Sequence, residues 1–187
     1  YFIPMNMNIQ FTGCYIDKKE FYNTIIDGEH ILHNKKGEYI NRFACFDIYY
    51  FGGKNVTGLP FIKLENTEEK FENESKETEK TKDEKINYRL VILNSVIKTI
   101  ELKSIISNKI APLKIDVKKF YGSHIFNGCA TILNNIKEGL YEYNTDGLIF
   151  TPANTGVCSN KTGISAPNYK ITWNESFKWK PPEFNTI

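Results

Sequence analysis

Apolar and polar residues alternate over 5–11: Met5, Met7, Ile9 and Phe11 fall on one side, and Asn6, Asn8 and Gln10 on the other. A period of two predicts a half-buried strand, ended here by Thr12-Gly13. A short polar link of possible helical character covers 17–22, and a second strand is predicted over 23–32. Asn34-Lys35-Lys36-Gly37-Glu38 has the composition of a hairpin turn. It leads into an aromatic, strongly apolar strand over 42–51, with Asp47 the one charge inside it, and Gly52-Gly53-Lys54-Asn55 turns the chain. The period then changes. Ile86, Leu90, Leu93, Ile97 and Ile100 recur at helical spacing, with Arg89 off that stripe. Leu113, Ile115 and Val117 alternate again, predicting a strand that runs into Lys118-Lys119-Phe120-Tyr121. Ser123 is placed to cap a helix that turns Ile125, Phe126, Cys129, Ile132, Leu133 and Ile136 inward and stops at Gly139. A strand opened by Asp146-Gly147 is closed by Pro152, and a polar loop covers 152–167. Tyr169, Ile171 and Trp173 alternate, Asn174-Glu175-Ser176 turns, and 177–180 returns. There is no internal repeat. The sum is an α+β fold of mostly antiparallel sheets with flanking helices, in one domain over 1–187.

Composition changes this picture in three places. With 187 residues, 41% of them apolar, the chain can build a real core. Its net charge of +2 is unevenly spread: 65–85 holds nine acids and five lysines, net −4, which leaves +6 on the rest. That segment is nearly free of apolar residues, so it is expected to be a mobile surface insert, with a solvated charged helix as the alternative. A moderately basic body fits an anionic ligand such as a nucleotide or RNA, although a solvated lysine-rich surface explains the charge alone. Cys14, Cys45, Cys129 and Cys158 form no CxxC pair and are expected to be reduced thiols of an intracellular protein. His30 and His33 lack a metal-ligand pattern, and no apolar run approaches the length of a membrane span. The chain opens at Tyr1 in a strand pattern and stops at Ile187 directly after a motif, so both ends are expected to be cuts in a longer polypeptide.

Three stretches carry candidate chemistry. Asn144-Thr145-Asp146-Gly147 places a carboxylate at the mouth of a strand, and Asp27-Gly28-Glu29 lies within another. Residues two apart on a strand share a face, so Asp27 and Glu29 are expected to point the same way. By the same rule Lys178 and Lys180 share a face and Phe177 and Trp179 take the other. Two ammonium groups roughly 7 Å apart on one wall suit a polyphosphate; an edge strand protected by lysines is the plainer reading. Glu29 and Asp146, at the ends of separate strands, could jointly hold a hard cation, since Mg²⁺ takes one or two carboxylates plus substrate phosphates. Ordinary turn chemistry explains each of them alone. Phe46 is either core or a stacking platform for a base.

The order and spacing of these motifs resemble the covalent nucleotidyltransferase superfamily of mRNA capping enzymes and ATP-dependent DNA and RNA ligases. Asp27-Gly28-Glu29 resembles its motif III, Phe46-Asp47-Ile48 its motif IIIa, Asp146-Gly147-Leu148-Ile149 its motif IV and Lys178-Trp179-Lys180 its motif V. Thr145 to Pro152 and Phe177 to Ile187 are more similar to the capping guanylyltransferases, especially those of large DNA viruses. The resemblance implies a nucleotidyltransferase fold (ATP-grasp-like, DNA-ligase-like), incomplete at the N-terminus. It implies transfer of GMP from GTP, through a lysyl-GMP phosphoramidate, to the 5′-diphosphate end of RNA, with Mg²⁺ or Mn²⁺. Carried over, Glu29 acts at the metal or ribose side, Asp27 at the nucleotide, and Phe46 stacks on guanine. Asp146 helps to hold the metal, Lys178 and Lys180 contact the α-phosphate region, and Lys118 (or Lys119) supplies a further nucleotide-side lysine. Associated RNA triphosphatase and cap methyltransferase domains are implied, and a cytoplasmic site (viral factory or virion) or a nuclear one. The chain departs from the family in one respect: no Lys-x-Asp-Gly with the nucleophilic lysine is present. The 187 residues are therefore expected to be inactive alone in the covalent step. An ATP-dependent ligase and a non-catalytic RNA- or partner-binding scaffold are the competing readings.

Overall fold

The computed structural model describes residues 1–64, 88–106, 111–122, 124–167 and 173–184. Within them the fold is α+β, with sheets that are mainly antiparallel and two α-helices. The strands are β1 Cys14–Tyr15, β2 Ile25–His33, β3 Tyr39–Phe51, β4 Lys54–Asn55, β5 Lys103–Ser104, β6 Lys114–Val117, β7 Leu148–Phe150 and β8 Phe177–Trp179. The helices are α1 Arg89–Thr99 and α2 Ile125–Lys137.

β3 is the axis of the largest sheet. It pairs antiparallel with β2 and β4, and in parallel with β6, where Arg42 to Cys45 face Lys114 to Val117. The β2–β3 turn forms as its composition predicts. The Asn34 side-chain oxygen accepts the Lys36 and Glu38 amide N–H groups, both at 2.9 Å. The ladder is not regular. Asp27 lies opposite Asp47 but Gly28 lies opposite Cys45, which leaves Phe46 without a partner as the extra residue of a β-bulge.

Helix α1 packs on β3 and β6 and closes the core. Cys45, Ile48, Phe61, Leu93 and Val96 are essentially inaccessible, with Leu90, Ile92, Phe21 and Val56 around them. Burial pushes the Cys45 thiol up to about 12, so it serves as core rather than as a reactive group. All four cysteines are free. The loop after β7 is fastened to the segment after β4. The Phe61 amide donates to the Ala153 carbonyl at 2.7 Å, and the Val157 amide to the Thr57 carbonyl at 2.8 Å.

Two expectations change, over 5–11 and along α2. Residues 5–11 are not a strand: the segment contributes only an isolated Phe2–Gln10 bridge, and Met5, Met7, Ile9 and Phe11 are exposed. Pro4 begins a turn that the Met7 amide closes onto its carbonyl, and Met7 takes a positive φ of 58°, which breaks the alternation. Arg89, off the predicted α1 stripe, is completely buried. The α2 helix forms over nearly the predicted span, yet its apolar stripe is only partly covered: Cys129, Ile132 and Ile136 are half-buried, Ile125, Phe126 and Leu133 are exposed, and Gly128 is buried against Tyr121. His124 stands at its N-cap. β6 joins β3 in parallel, with α1 in the connection between them, within sheets that are otherwise antiparallel as expected. The charged segment 65–85, the proposed cap Ser123 and the alternating Tyr169 and Ile171 lie outside the described residues. Among the described residues no helix is long and apolar enough to cross a membrane.

Candidate nucleotide site

β2, β3 and β6 converge on the first group of predicted residues. The Lys118 amide N–H donates to the Cys45 carbonyl at 2.8 Å, which holds the chain beside β3 just past the end of β6. From there its side chain reaches Glu29 on β2, Nζ to Oε2 2.5 Å, and its ammonium sits 5.8 Å from the centroid of the Phe46 ring. Glu29, Phe46 and Lys118 were selected from three separate stretches, and the fold makes them neighbours. The bulge explains how Phe46 comes to lie there. An unpaired residue in a ladder re-aims its side chain, and this one is half-buried within a strand whose neighbours Cys45 and Asp47 are core. Asp27-Gly28-Glu29 is a mid-strand segment rather than a turn. Gly28 is glycine because the Phe43 ring lies over it: a Cβ would come within 2.7 Å of that ring.

The second group lies on the β7–β8 ladder. Both Lys178 and Lys180 point toward Asp146, at 3.1 and 2.8 Å from Oδ2, as the shared strand face requires. Lys180, and after it Lys178, hold the Asp146 carboxyl below the usual aspartate range. Gly147 makes this approach possible. It adopts φ 147°, and a Cβ on it would lie 2.0 Å from the Trp179 carbonyl oxygen. Phe177 and Trp179, on the other face, are partly exposed.

Asp27 has partners of its own. It accepts hydrogen bonds from the Tyr49 hydroxyl and, at 2.9 Å, from the Gly28 amide. A register shift separates it from Glu29, and the two carboxylates have different partners. The Glu29 group and the Asp146 group hold separate ion pairs, Lys118 with Glu29 and Lys178 and Lys180 with Asp146. Lys119 stands 5.1 Å from the Tyr121 ring centroid instead of reaching Glu29.

Sequence reasoning missed two polar assemblies. Arg42 on β3 bridges Asp116 on β6 and Glu142, the latter at 2.8 Å, and lies 5.5 Å from the Tyr143 ring centroid. These residues and Lys118 line a cleft of about 230 Å³ beside the Glu29 group. Arg89 pairs with Asp47 in the interior. Only one sign of either was visible in the sequence: a lone charge, Asp47, inside an otherwise apolar strand, which needs a buried partner.

The arrangement offers single carboxylates flanked by ammonium groups. That donor set fits a hard cation arriving on a polyphosphate, with Asp146 or Glu29 giving one oxygen and the lysines taking the phosphates. Among the described residues no three His, Cys, Asp or Glu side chains cluster to hold a metal by themselves. No protein-family model and no curated protein matches the chain.

Proposed function

We propose that the chain belongs to the nucleotidyltransferase domain of an mRNA-capping guanylyltransferase, which binds GTP and passes GMP to the 5′-diphosphate end of RNA. One observation carries this reading. Residues resembling motifs III and IIIa and the lysine before motif IV form one contact group, Glu29, Phe46 and Lys118, and those resembling motifs IV and V form another, Asp146, Lys178 and Lys180.

In this reading Phe46 supplies the stacking face for guanine. Lys118 lies beside that face, and Glu29 accepts from the ribose or helps to hold a metal. Lys178 and Lys180 exchange the Asp146 carboxylate for phosphate oxygens when the triphosphate enters, which frees Asp146 as a donor to a Mg²⁺ or Mn²⁺ carried by the nucleotide. The divalent ion, when bound, would offset charge on the phosphates. Lysine ammonium groups aimed where phosphate charge develops stabilise transfer electrostatically.

The test has two stages. Titration of the 187-residue protein with GTP and with ATP, each with Mg²⁺, should give binding that prefers GTP. A longer version that carries an upstream Lys-x-Asp-Gly should then form an acid-labile adduct with α-labelled GTP. Adduct from ATP alone would move the assignment to a ligase. No binding of either nucleotide to the folded protein would leave the scaffold reading.

A further inference from the structure

Arg89 is the largest fully buried side chain in the described protein and the only charged one among those with essentially no exposure. It opens α1, and its guanidinium reaches three separate segments. Nε donates to Asp47 Oδ1 at 2.8 Å and Nη2 to Asp47 Oδ2 at 3.1 Å, a two-pronged grip on the carboxylate. Nη1 donates to the Leu59 carbonyl and, at 3.0 Å, to the Thr155 carbonyl. The Phe61 ring covers the group, with its centroid 5.4 Å from Cζ. Burying two charges is costly, and well-packed apolar residues can often replace such a pair without loss of stability. The pair is therefore poorly explained by stability alone.

What it joins is informative. Asp47 directly follows Phe46, the bulged residue that no ladder partner orients. Asp47 Oδ1 also accepts the Ile48 amide at 2.8 Å, which fixes the strand just past the bulge. Thr155 lies in the loop that leaves β7, the strand opened by Asp146-Gly147. One side chain thus ties the strand that carries Phe46 to the segment that carries Asp146. We propose that Arg89 is a positioning residue for the nucleotide site, its fork fixing the bulge at Phe46 relative to the β7–β8 ladder at Asp146. This rests on the nucleotide-binding reading above. Arg89 touches no nucleotide in this scheme, and misplacing a stacking face by an ångström can cost about a hundredfold in a reaction that depends on alignment.

The experiment compares the 187-residue wild type with the double variant Arg89→Met/Asp47→Asn and with Arg89→Lys. The first removes both charges at similar volume; the second keeps the charge and loses the fork. Three quantities are read: melting temperature, GTP affinity with Mg²⁺, and the upfield shift of the guanine H8 proton on stacking. The double variant should fold but melt below the wild type, because the Leu59 and Thr155 carbonyls lose their donor, and it should bind GTP about tenfold or more weakly and lose most of the H8 shift. Arg89→Lys should not restore binding. A folded double variant with wild-type affinity and shift would overturn the positioning role. If the double variant fails to fold, Arg89→Lys decides alone: wild-type binding overturns the inference, and weakened binding at an unchanged melting temperature supports it. A wild type that binds no GTP is a different failure, that of the nucleotide reading, and takes this inference with it.

Discussion

The two helices are opposites. By its pattern α2 is the cleaner amphipathic helix, with apolar residues at 125, 126, 129, 132, 133 and 136, yet Ile125, Phe126 and Leu133 stay exposed. α1 has a more diffuse apolar pattern, and it buries Leu90, Ile92, Leu93 and Val96 against β3 and β6. Periodicity reports which face a helix would bury; what covers that face is a property of the rest of the fold. The two lysine–carboxylate groups divide along the same line. Glu29, Phe46 and Lys118 stand on the sheet that α1 closes. Asp146, Lys178 and Lys180 stand on the two-stranded β7–β8 ladder, whose strands are far apart in sequence and which is joined to that body through the 153–157 loop.

The sharpest test of this contrast is a matched pair of truncations. Leu93 is fully buried in α1 and Leu133 is 39% exposed on α2. Leu93→Ala should destabilise the protein by about 2–5 kcal/mol, through lost transfer energy and a residual cavity. Leu133→Ala should cost under about 1 kcal/mol. Urea unfolding measures both. Equal losses would mean that α2 is packed in solution and that the contrast is wrong.

Next in size is Gly147→Ala. The new Cβ would need the space of the Trp179 carbonyl, at a φ that side chains avoid, so β8 must move off β7. A loss of roughly 2 kcal/mol is expected from strain at such a position. It should be confined to the ladder: amide exchange should speed up across β7 and β8 and stay slow in β3 and α1. Faster exchange in β3 as well would show that the ladder supports the sheet.

Ligand binding sharpens the comparison from the functional side. Lys118→Ala and Lys180→Ala should each weaken GTP binding by about tenfold, which is 1.4 kcal/mol, while leaving stability nearly unchanged, because their ion pairs are partly exposed. Loss of GTP preference over ATP is expected only from the Lys118 change, since Lys118 adjoins the stacking ring and Lys180 does not. Identical behaviour of the two variants toward both nucleotides would remove the assignment of base and phosphate ends.

The sequence made the β2–β3 hairpin, α1, β6, the span of α2 and the strands β7 and β8 readable, because each has a regular period and a turn residue to end it, but not the pairing of β7 with β8, since 177–180 is expected to return after 169–173. Alternation over 5–11 misled because Pro4 and the positive φ of Met7 take the segment out of extended geometry. The site residues could be read as motifs. Their grouping could not, since the bulge at Phe46 is a register property of two strands and no single stretch encodes it. Arg89 was invisible for a related reason. A periodicity argument assigns a charge to solvent, and the partner that overrides this, Asp47, lies 42 residues away.

The smallest expected effect bears on the part of the site least supported by the core. Asp146 is held ionised by Lys180 first and Lys178 second. A carboxyl lowered on folding contributes stability that is complete above its ordinary range and disappears as pH falls through the lowered folded value. The group is exposed, so the contribution to overall stability is small, and the midpoint itself is the quantity to follow. A ¹³C carboxyl titration should place Asp146 below an ordinary aspartate at low salt. Lys180→Ala should raise the midpoint more than Lys178→Ala, and 1 M salt should reduce both differences. An ordinary midpoint in the wild type would mean that the lysines do not hold Asp146 in solution. Its carboxylate would then be open to a metal without any exchange of partners, and Lys178 and Lys180 would lose the preset aim that the ladder gives them.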